Sequence, residues 1–225
     1  MSGAPTDFGG GSIWSRPERG TRGPAPTHGR DAIAAAAVEL ADTGGLAAVS
    51  MRAVAGALGM AAGSLYRHLS SRDDLLALMV DRCVGELRPY PEDAGDWRDD
   101  MVLLARHQLE LYRRHPWLAD AIAHAGTPGP NTLAWFDTCL RILQPVRAPV
   151  TAKFEAIAMV TGVVSLFARA GASAGPLTFD HVDLAAYPHL AAAFTEPPPT
   201  AAPRRDLFER TLRGLLAGLL SAEPG

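Results

Sequence analysis

The sequence predicts an all-α protein: an N-terminal three-helix domain built around a helix-turn-helix, followed by a larger helical domain. Three observations predict the helical class. Alanine dominates the 225 residues, runs of β-branched residues are few, and apolar positions recur at helical spacing through most of the chain. Breaks in that spacing divide the chain into a disordered leader and basic arm (1–29), a helix-turn-helix domain (30–90) and, past a linker, a helical body (97–221).

The leader, Met1 to Ser12, is small and Gly-rich and lacks the apolar core of a signal peptide. The arm that follows, 13–29, mixes Arg with Pro and Gly without a period, so it reads as an arm rather than a packed element. A first helix spans Arg30 to Asp42, with Ile33, Ala37, Val38 and Ala41 at helical spacing, and Thr43-Gly44-Gly45 stops it. Ser50 is a good N-cap for a short helix carrying Val54 and Leu58, which Gly59 breaks. Ala61 to Leu69 forms a second short helix with Leu65 and Leu69 inward. Ser70 or Ser71 caps a longer helix with Asp73 and Asp74 in its first turn, where the helix dipole favours acid. Leu75, Leu76, Met79, Val80 and Val84 form its buried stripe, and Arg88-Pro89 ends it. Beyond the linker 91–96, helices are expected over about 97–115, 116–125, 129–143, 149–170 and 204–220. A short one near 184–194 sits in a loop rich in Ala, Pro and Gly.

Composition narrows the function classes. Hydrophobic residues make up 48% and charged residues 20%, ordinary for a folded domain. No unbroken apolar run approaches the roughly 18–20 residues of a membrane span, so a cytoplasmic protein without a membrane partner is expected. Cys83 and Cys139 lie far apart within apolar helical patterns and read as free buried thiols rather than a disulfide or metal pair. The net charge of −3 hides an asymmetry. From Ile13 to Arg72 there are seven arginines and four acids, 7 − 4 = +3, which leaves −6 for the rest. A basic head on an acidic body suits a protein whose head alone meets phosphate.

The informative stretch is Ser50–Leu69. A short helix, a glycine turn and a second short helix form a helix-turn-helix. Ala55 is small enough for the second helix to cross the first closely, and Gly59 supplies the left-handed turn. Val54, Leu58, Met60 and Leu65 hold the pair together. An exposed second helix fits a major groove about 12 Å wide.

The order of signals around this stretch carries a family resemblance. The Arg30–Asp42 helix, the Gly-Gly stop, Ser50-Met51-Arg52, Leu58-Gly59, Ser64-Leu65-Tyr66-Arg67-His68 and Asp73-Asp74-Leu75-Leu76 follow one another in a succession that strongly resembles the TetR family of transcriptional regulators. The match runs from about Arg30 to Val84, and Trp97–Ala170 is more loosely similar to the tetracycline-repressor-like subgroup. The resemblance implies that Ser50 and Arg52 contact phosphates and that Ala61, Ala62, Gly63, Ser64, Tyr66, Arg67 and His68 occupy the recognition face. It also implies that Arg72 clamps backbone phosphate. Chemistry agrees: Ser64 and Tyr66 hydroxyls position without specifying sequence, and Arg67 is suited to bidentate donation to guanine. His68 is open to either a contact or a structural role. Ala61-Ala62-Gly63 departs from relatives that place polar readers there, which shifts base reading toward thymine methyls, Arg67 and DNA shape. The arm is either a minor-groove contact or a solvated tail.

The resemblance further implies a homodimer on palindromic double-stranded operator DNA, with helices 149–170 and 204–220 in a four-helix interface. Leu207, Phe208, Leu212, Leu215, Leu216, Leu219 and Leu220 make the second helix broadly apolar, while Ala156, Gly162 and Ser165 permit close approach on the first. Packing within one subunit is the alternative. A small-molecule effector that releases the repressor from DNA is implied too, with His107, Leu111, His124, Asn131, Trp135, Phe136, Met159 and Phe167 as candidate lining; ordinary core packing or solvent exposure is the alternative at each. His124-Ala125-Gly126-Thr127 faintly resembles the segment where tetracycline repressor holds its drug–magnesium complex, but the companion acidic and histidine ligands are missing from helix 149–170. No cofactor or metal is expected. Two other classes compete: a helical small-molecule-binding protein with a degenerate head, and an all-α enzyme. The latter has His107, His115, His124 and Asp120 close in sequence, yet no HExxH, CxxC, GxSxG or Walker spacing.

Overall fold

The structure, a computed structural model, describes residues 12–15, 29–91, 95–124, 126–173, 186–195 and 206–220. Every regular element among them is helical. The order is α1 (Arg30–Gly44), a 3-10 turn (Leu46–Ala48), α2 (Met51–Ala57), α3 (Ala62–Leu65), α4 (Arg72–Gly85), α5 (Trp97–Arg114), α6 (Leu118–His124), α7 (Pro130–Ile142), α8 (Val150–Ser173), α9 (Pro188–Thr195) and α10 (Leu207–Leu220). The chain divides into two compact units, Met1–Val146 and Arg147–Gly225.

In the first unit α4 is the central strut, packed against α1, α6 and α7. Its interior side is an almost continuous apolar surface: Leu75, Ala77, Leu78, Met79, Val80, Cys83 and Val84 are all buried. The caps are those the sequence signals. Ser71 Oγ accepts from the Asp74 amide at 3.1 Å, and Ser50 Oγ accepts from Ala53 at 3.1 Å. Each satisfies an amide that the first helical turn leaves open. Gly45, at φ 69°, ends α1 while its amide bonds the Ala41 carbonyl.

A buried carboxylate joins α4 to α7. Asp81, 4% exposed, accepts from the backbone amides of Asn131 and Thr132 at 3.3 and 2.9 Å and from the Thr132 hydroxyl at 3.1 Å. The Asn131 side-chain amide donates to both the Asp81 carboxylate and its backbone carbonyl. A carboxylate on α4 thus caps the N-terminus of α7, where unpaired amides and the helix dipole favour negative charge. Gly129, the residue before α7, lies so close that an added Cβ would run into the Asp81 carboxylate and the Trp14 ring.

Trp14 corrects the expectation of an unpacked arm. Residues 12–15 form a turn: Ile13 is 2% exposed, Trp14 Nε1 donates to the Thr127 carbonyl at 3.0 Å, and the Arg30 guanidinium donates to the Ile13 carbonyl at 2.8 Å. The Pro/Gly-rich composition concealed this because the anchoring partner lies 113 residues away. The arginines of the arm, Arg16, Arg19 and Arg22, fall outside the described residues.

The second unit centres on the α8–α10 pair. Ala156, Ile157, Val160 and Val164 on α8 are buried, as are Phe208, Leu212, Leu216 and Leu220 on α10, at the three- and four-residue spacing of one helical face. Phe167 meets Phe208 edge-on, with ring centroids 5.1 Å apart. Part of the broad leucine face of α10 therefore packs within the subunit. Residues 150–170 of α8 also qualify what the lack of an unbroken apolar run suggested. Their mean hydropathy of 1.6 and their length make this one helix apolar enough to cross a membrane by length and composition. Only 22% of that window is buried, so it presents apolar surface outward.

Candidate nucleic-acid interface

The helix-turn-helix forms as its residue order dictates. Val54 and Ala55 on α2 are buried, and Gly59 sits at φ 64° in the turn, a backbone conformation that costs glycine nothing sterically. The Met60 amide bonds the Ala55 carbonyl at 2.9 Å, closing the turn onto α2. Leu65 and Leu69 are 0% and 1% exposed, and they root the second helix of the motif in the core.

That second helix is shorter than its sequence suggests. The regular α-helix covers only Ala62–Leu65. Residues 66–68 continue as a tightened turn, with Arg67 bonded to the Ser64 carbonyl at 3.2 Å and His68 to the Leu65 carbonyl at 2.9 Å. Two causes are visible: Gly63 and Ser64 are weak helix formers, and Ser71 must adopt extended backbone to cap α4 only a few residues later.

The side chains nevertheless separate cleanly. With Leu65 and Leu69 inside, Ala61, Ala62, Gly63, Tyr66 and Arg67 are exposed, while Ser64 and His68 are half-buried. Tyr66, 59% exposed, presents its phenol to solvent. Its hydroxyl and apolar ring suit a partner that offers both phosphate oxygens and apolar sugar. Arg52 on α2 and Arg72 at the start of α4 are also exposed; Arg72 donates weakly to the Leu46 carbonyl at 3.4 Å. Ser50 Oγ serves as the α2 cap, with Arg52 two positions on. The arrangement offers three guanidinium groups, a phenol and a floor of methyls and glycine, with no bulk to keep a groove wall away.

The candidate effector residues scatter more. Leu111 and Trp135 are buried, Phe136 packs edge-on against Trp135 with centroids 5.1 Å apart, and Asn131 is bonded to Asp81. His107 and His124 are exposed, the latter with Nδ1 2.8 Å from the Asp120 carbonyl of its own helix. Met159 and Phe167 lie on α8 in the second unit, Met159 exposed and Phe167 against Phe208. His107, His115 and His124 lie close in sequence, but the fold joins His115 to Asp42, Nδ1 to Oδ1, at 2.7 Å.

Comparison with known proteins now adds to this geometry. Residues 33–79 match the family described as bacterial regulatory proteins, tetR family, and residues 88–222 match the tetracyclin repressor-like C-terminal domain. The HTH-type transcriptional repressor DrrR1 of Streptomyces coeruleorubidus is 38% identical over 159 residues, 70% of this chain and 58% of that protein. An HTH-type transcriptional regulator of Saccharopolyspora erythraea is 40% identical over 124 residues, 55% of this chain and 52% of its own. The aligned region thus spans little more than half the length of these curated relatives. Among solved structures, the Streptomyces coelicolor TetR family protein ActR in complex with actinorhodin superposes with a TM-score of 0.71 at 25% identity, covering 89% of this chain and 100% of that one. The same protein in complex with (S)-DNPA gives 0.70 at 27% identity, covering 87% and 98%. BioQ with its double-stranded DNA operator is alike in fold, with a TM-score of 0.60 at 18% identity over 86% of this chain and 98% of that one.

Proposed function

This chain belongs to the tetR family of bacterial regulatory proteins, and on that premise we propose that it is a ligand-responsive transcriptional repressor that binds a palindromic operator as a homodimer. One observation carries the reading. Leu65 and Leu69 are buried beneath a segment whose Tyr66 and Arg67 project outward, with Arg52 and Arg72 exposed on the adjoining helices. Arginine and phenol on a shallow floor suit phosphate and base edges together. Ser50, Arg52, Tyr66 and Arg72 take backbone-positioning roles; Arg67 takes base reading, and Ala61, Ala62 and Gly63 allow close approach and methyl contact. DNA as the partner places this work in the bacterial cytoplasm, and no catalytic step is part of the reading.

The homodimer rests on the second unit. Six of the ten most exposed large apolar side chains among the described residues lie on its two long helices: Val150, Phe154, Met159 and Leu166 on α8, Leu207 and Leu219 on α10. Their partners within the pair are already satisfied, so a second copy is the fitting cover for what remains. The effector site rests on the α5–α7 layer, where Leu111, Trp135 and Phe136 supply apolar wall. The buried Trp135 Nε1 has no hydrogen-bond partner among the described residues, an indole donor open to a ligand acceptor. An effector that favours the non-binding arrangement lowers operator affinity by its differential binding energy. ActR, solved with two small molecules, supports this reading.

A mobility-shift titration against salt, using DNA upstream of the protein's own gene, tests the proposal. Sequence-specific binding is expected, with a log–log slope of about −3 to −4 or steeper from Arg52 and Arg72 in two heads. A flat, sequence-blind response would instead assign the chain to small-molecule binding with a degenerate head.

A further inference from the structure

Away from the DNA-facing surface, four polar residues from three segments converge at the end of α4. His115, the C-cap of α5, is 7% exposed, and Cys83 is 0% exposed. Glu86, the C-cap of α4, lies three residues after Cys83, which puts the two on one helical face. One donor atom from each of Cys83, Glu86 and His115 lies within 4.8 Å of the other two. We propose that these three residues form a binding site for a borderline-soft divalent cation of the zinc kind.

The imidazole is already set for it. Asp42, near the end of α1, accepts at one carboxylate oxygen from His115 Nδ1 and from Trp117 Nε1, each at 2.7 Å. A proton on Nδ1 leaves the lone pair of the neutral ring on Nε2. That nitrogen is buried and has no hydrogen-bond partner among the described residues, yet it faces Glu86 Oε1 at 3.5 Å. A nitrogen lone pair and a carboxylate oxygen repel each other across such a gap, and a cation between them reverses the sign. The second Glu86 oxygen is held by Arg114 at 2.9 Å, which aims the first toward the ring. Carboxylate behind histidine, with histidine behind the ion, is the arrangement that fixes tautomer and raises ligand basicity in metal sites.

The donor set selects the ion. Sulfur, imidazole nitrogen and one carboxylate oxygen match Zn²⁺ rather than Mg²⁺ or Ca²⁺, which prefer oxygen alone. A thiolate and a carboxylate balance a dication, and a water completes four-coordination. Ligand atoms around tetrahedral zinc stand about 3.3–3.8 Å apart, so the cluster closes by roughly 1 Å on binding. Glu86, with its side chain 35% exposed at a helix end, is the member best able to move. A bound ion would tie α4 to the α5–α6 turn directly and to α1 through Asp42.

The full-length chain, without a polyhistidine tag, stripped of metal and kept reduced, is titrated with Co²⁺ as an optical probe. One ion per chain is expected, with a thiolate-to-cobalt charge-transfer band that Zn²⁺ displaces. Cys83→Ser removes the band, Glu86→Gln weakens affinity at least tenfold, and Asp42→Asn weakens it by about 10–100-fold. Circular dichroism checks that each variant folds; should Cys83→Ser fail to fold, Glu86→Gln, at a more exposed site, decides. Absence of the band in the unaltered chain at saturating cobalt overturns the site and leaves His115 bridged by a proton alone. Unchanged affinity in Glu86→Gln also overturns it.

Discussion

The segment 61–69 and the α8–α10 pair each bury apolar side chains on one side, yet they turn opposite surfaces outward. The first buries two leucines and exposes methyls, a phenol and arginine; the second buries one apolar stripe and exposes another. Burial fixes both, because Leu65 and Leu69 leave Tyr66 and Arg67 nowhere to go but out. On α8, by contrast, Val150, Met159 and Leu166 stay exposed while Ala156, Ile157, Val160 and Val164 are buried. The difference teaches what each face can bind. A hydrated polyanion is held by charge and released by salt, whereas an apolar partner is held by excluded water and tolerates salt.

The largest expected break in that contrast is Leu65→Ala. It leaves a cavity under a helix with little else to anchor it and costs about 2–5 kcal/mol, read as a fall in the denaturation midpoint together with loss of operator binding. Leu166→Glu attacks the other face. In the proposed homodimer it puts charge into the apolar face that a second copy would cover, so the expected outcome in analytical ultracentrifugation is a monomer, with the melting of the subunit little changed. Arg67→Ala sharpens the contrast: sequence discrimination falls by about 1–3 kcal/mol in competition shift assays, and the dimer persists.

Alkaline pH separates the two units. Burial pushes the Tyr112 hydroxyl and the Cys139 thiol up to about 12, the first opposed by its hydrogen bond to Gln108. Both groups keep their protons in the folded chain after the unfolded chain has lost them. Their contribution is therefore complete below the ordinary values near 9 and 10 and declines above them toward 12. Melting temperature followed against pH should fall above pH 9, less so in Cys139→Ala. Residues 147–225 carry no cysteine and only Tyr187, which is exposed, so the loss belongs to the first unit. Smallest is Arg72→Ala, which shallows the salt slope by about 1 per contact and leaves sequence preference alone.

The sequence made the helices and the motif readable because their signals are local. Ser50 and Ser71 mark helix starts, Gly45 and Gly59 mark turns, and the three-to-four spacing marks buried faces. Long-range partners were not readable. Nothing near Trp14 announces Thr127, and nothing near Asn131 announces Asp81, since those pairings depend on how α4 and α7 pack. Histidines close in sequence suggested one cluster, but helical geometry sends His107 and His124 to the surface and brings His115 to residues 42, 83 and 86. The spacing of Leu65 and Leu69 predicts a longer α3 than the structure has, because apolar spacing persists through a tightened turn as well as through a true helix.

The niche over Gly129 has a practical consequence for trimming the chain. Residue 14 fills a recess whose other walls are the α4 carboxylate and the start of α7. Cutting away the first fifteen residues as a dispensable tail would unroof that recess, admit water beside Asp81 and loosen α7, the helix that carries Trp135. Under the proposed function, a shortened protein would respond to an effector differently from the intact one, even with every exposed residue of the segment 61–69 retained.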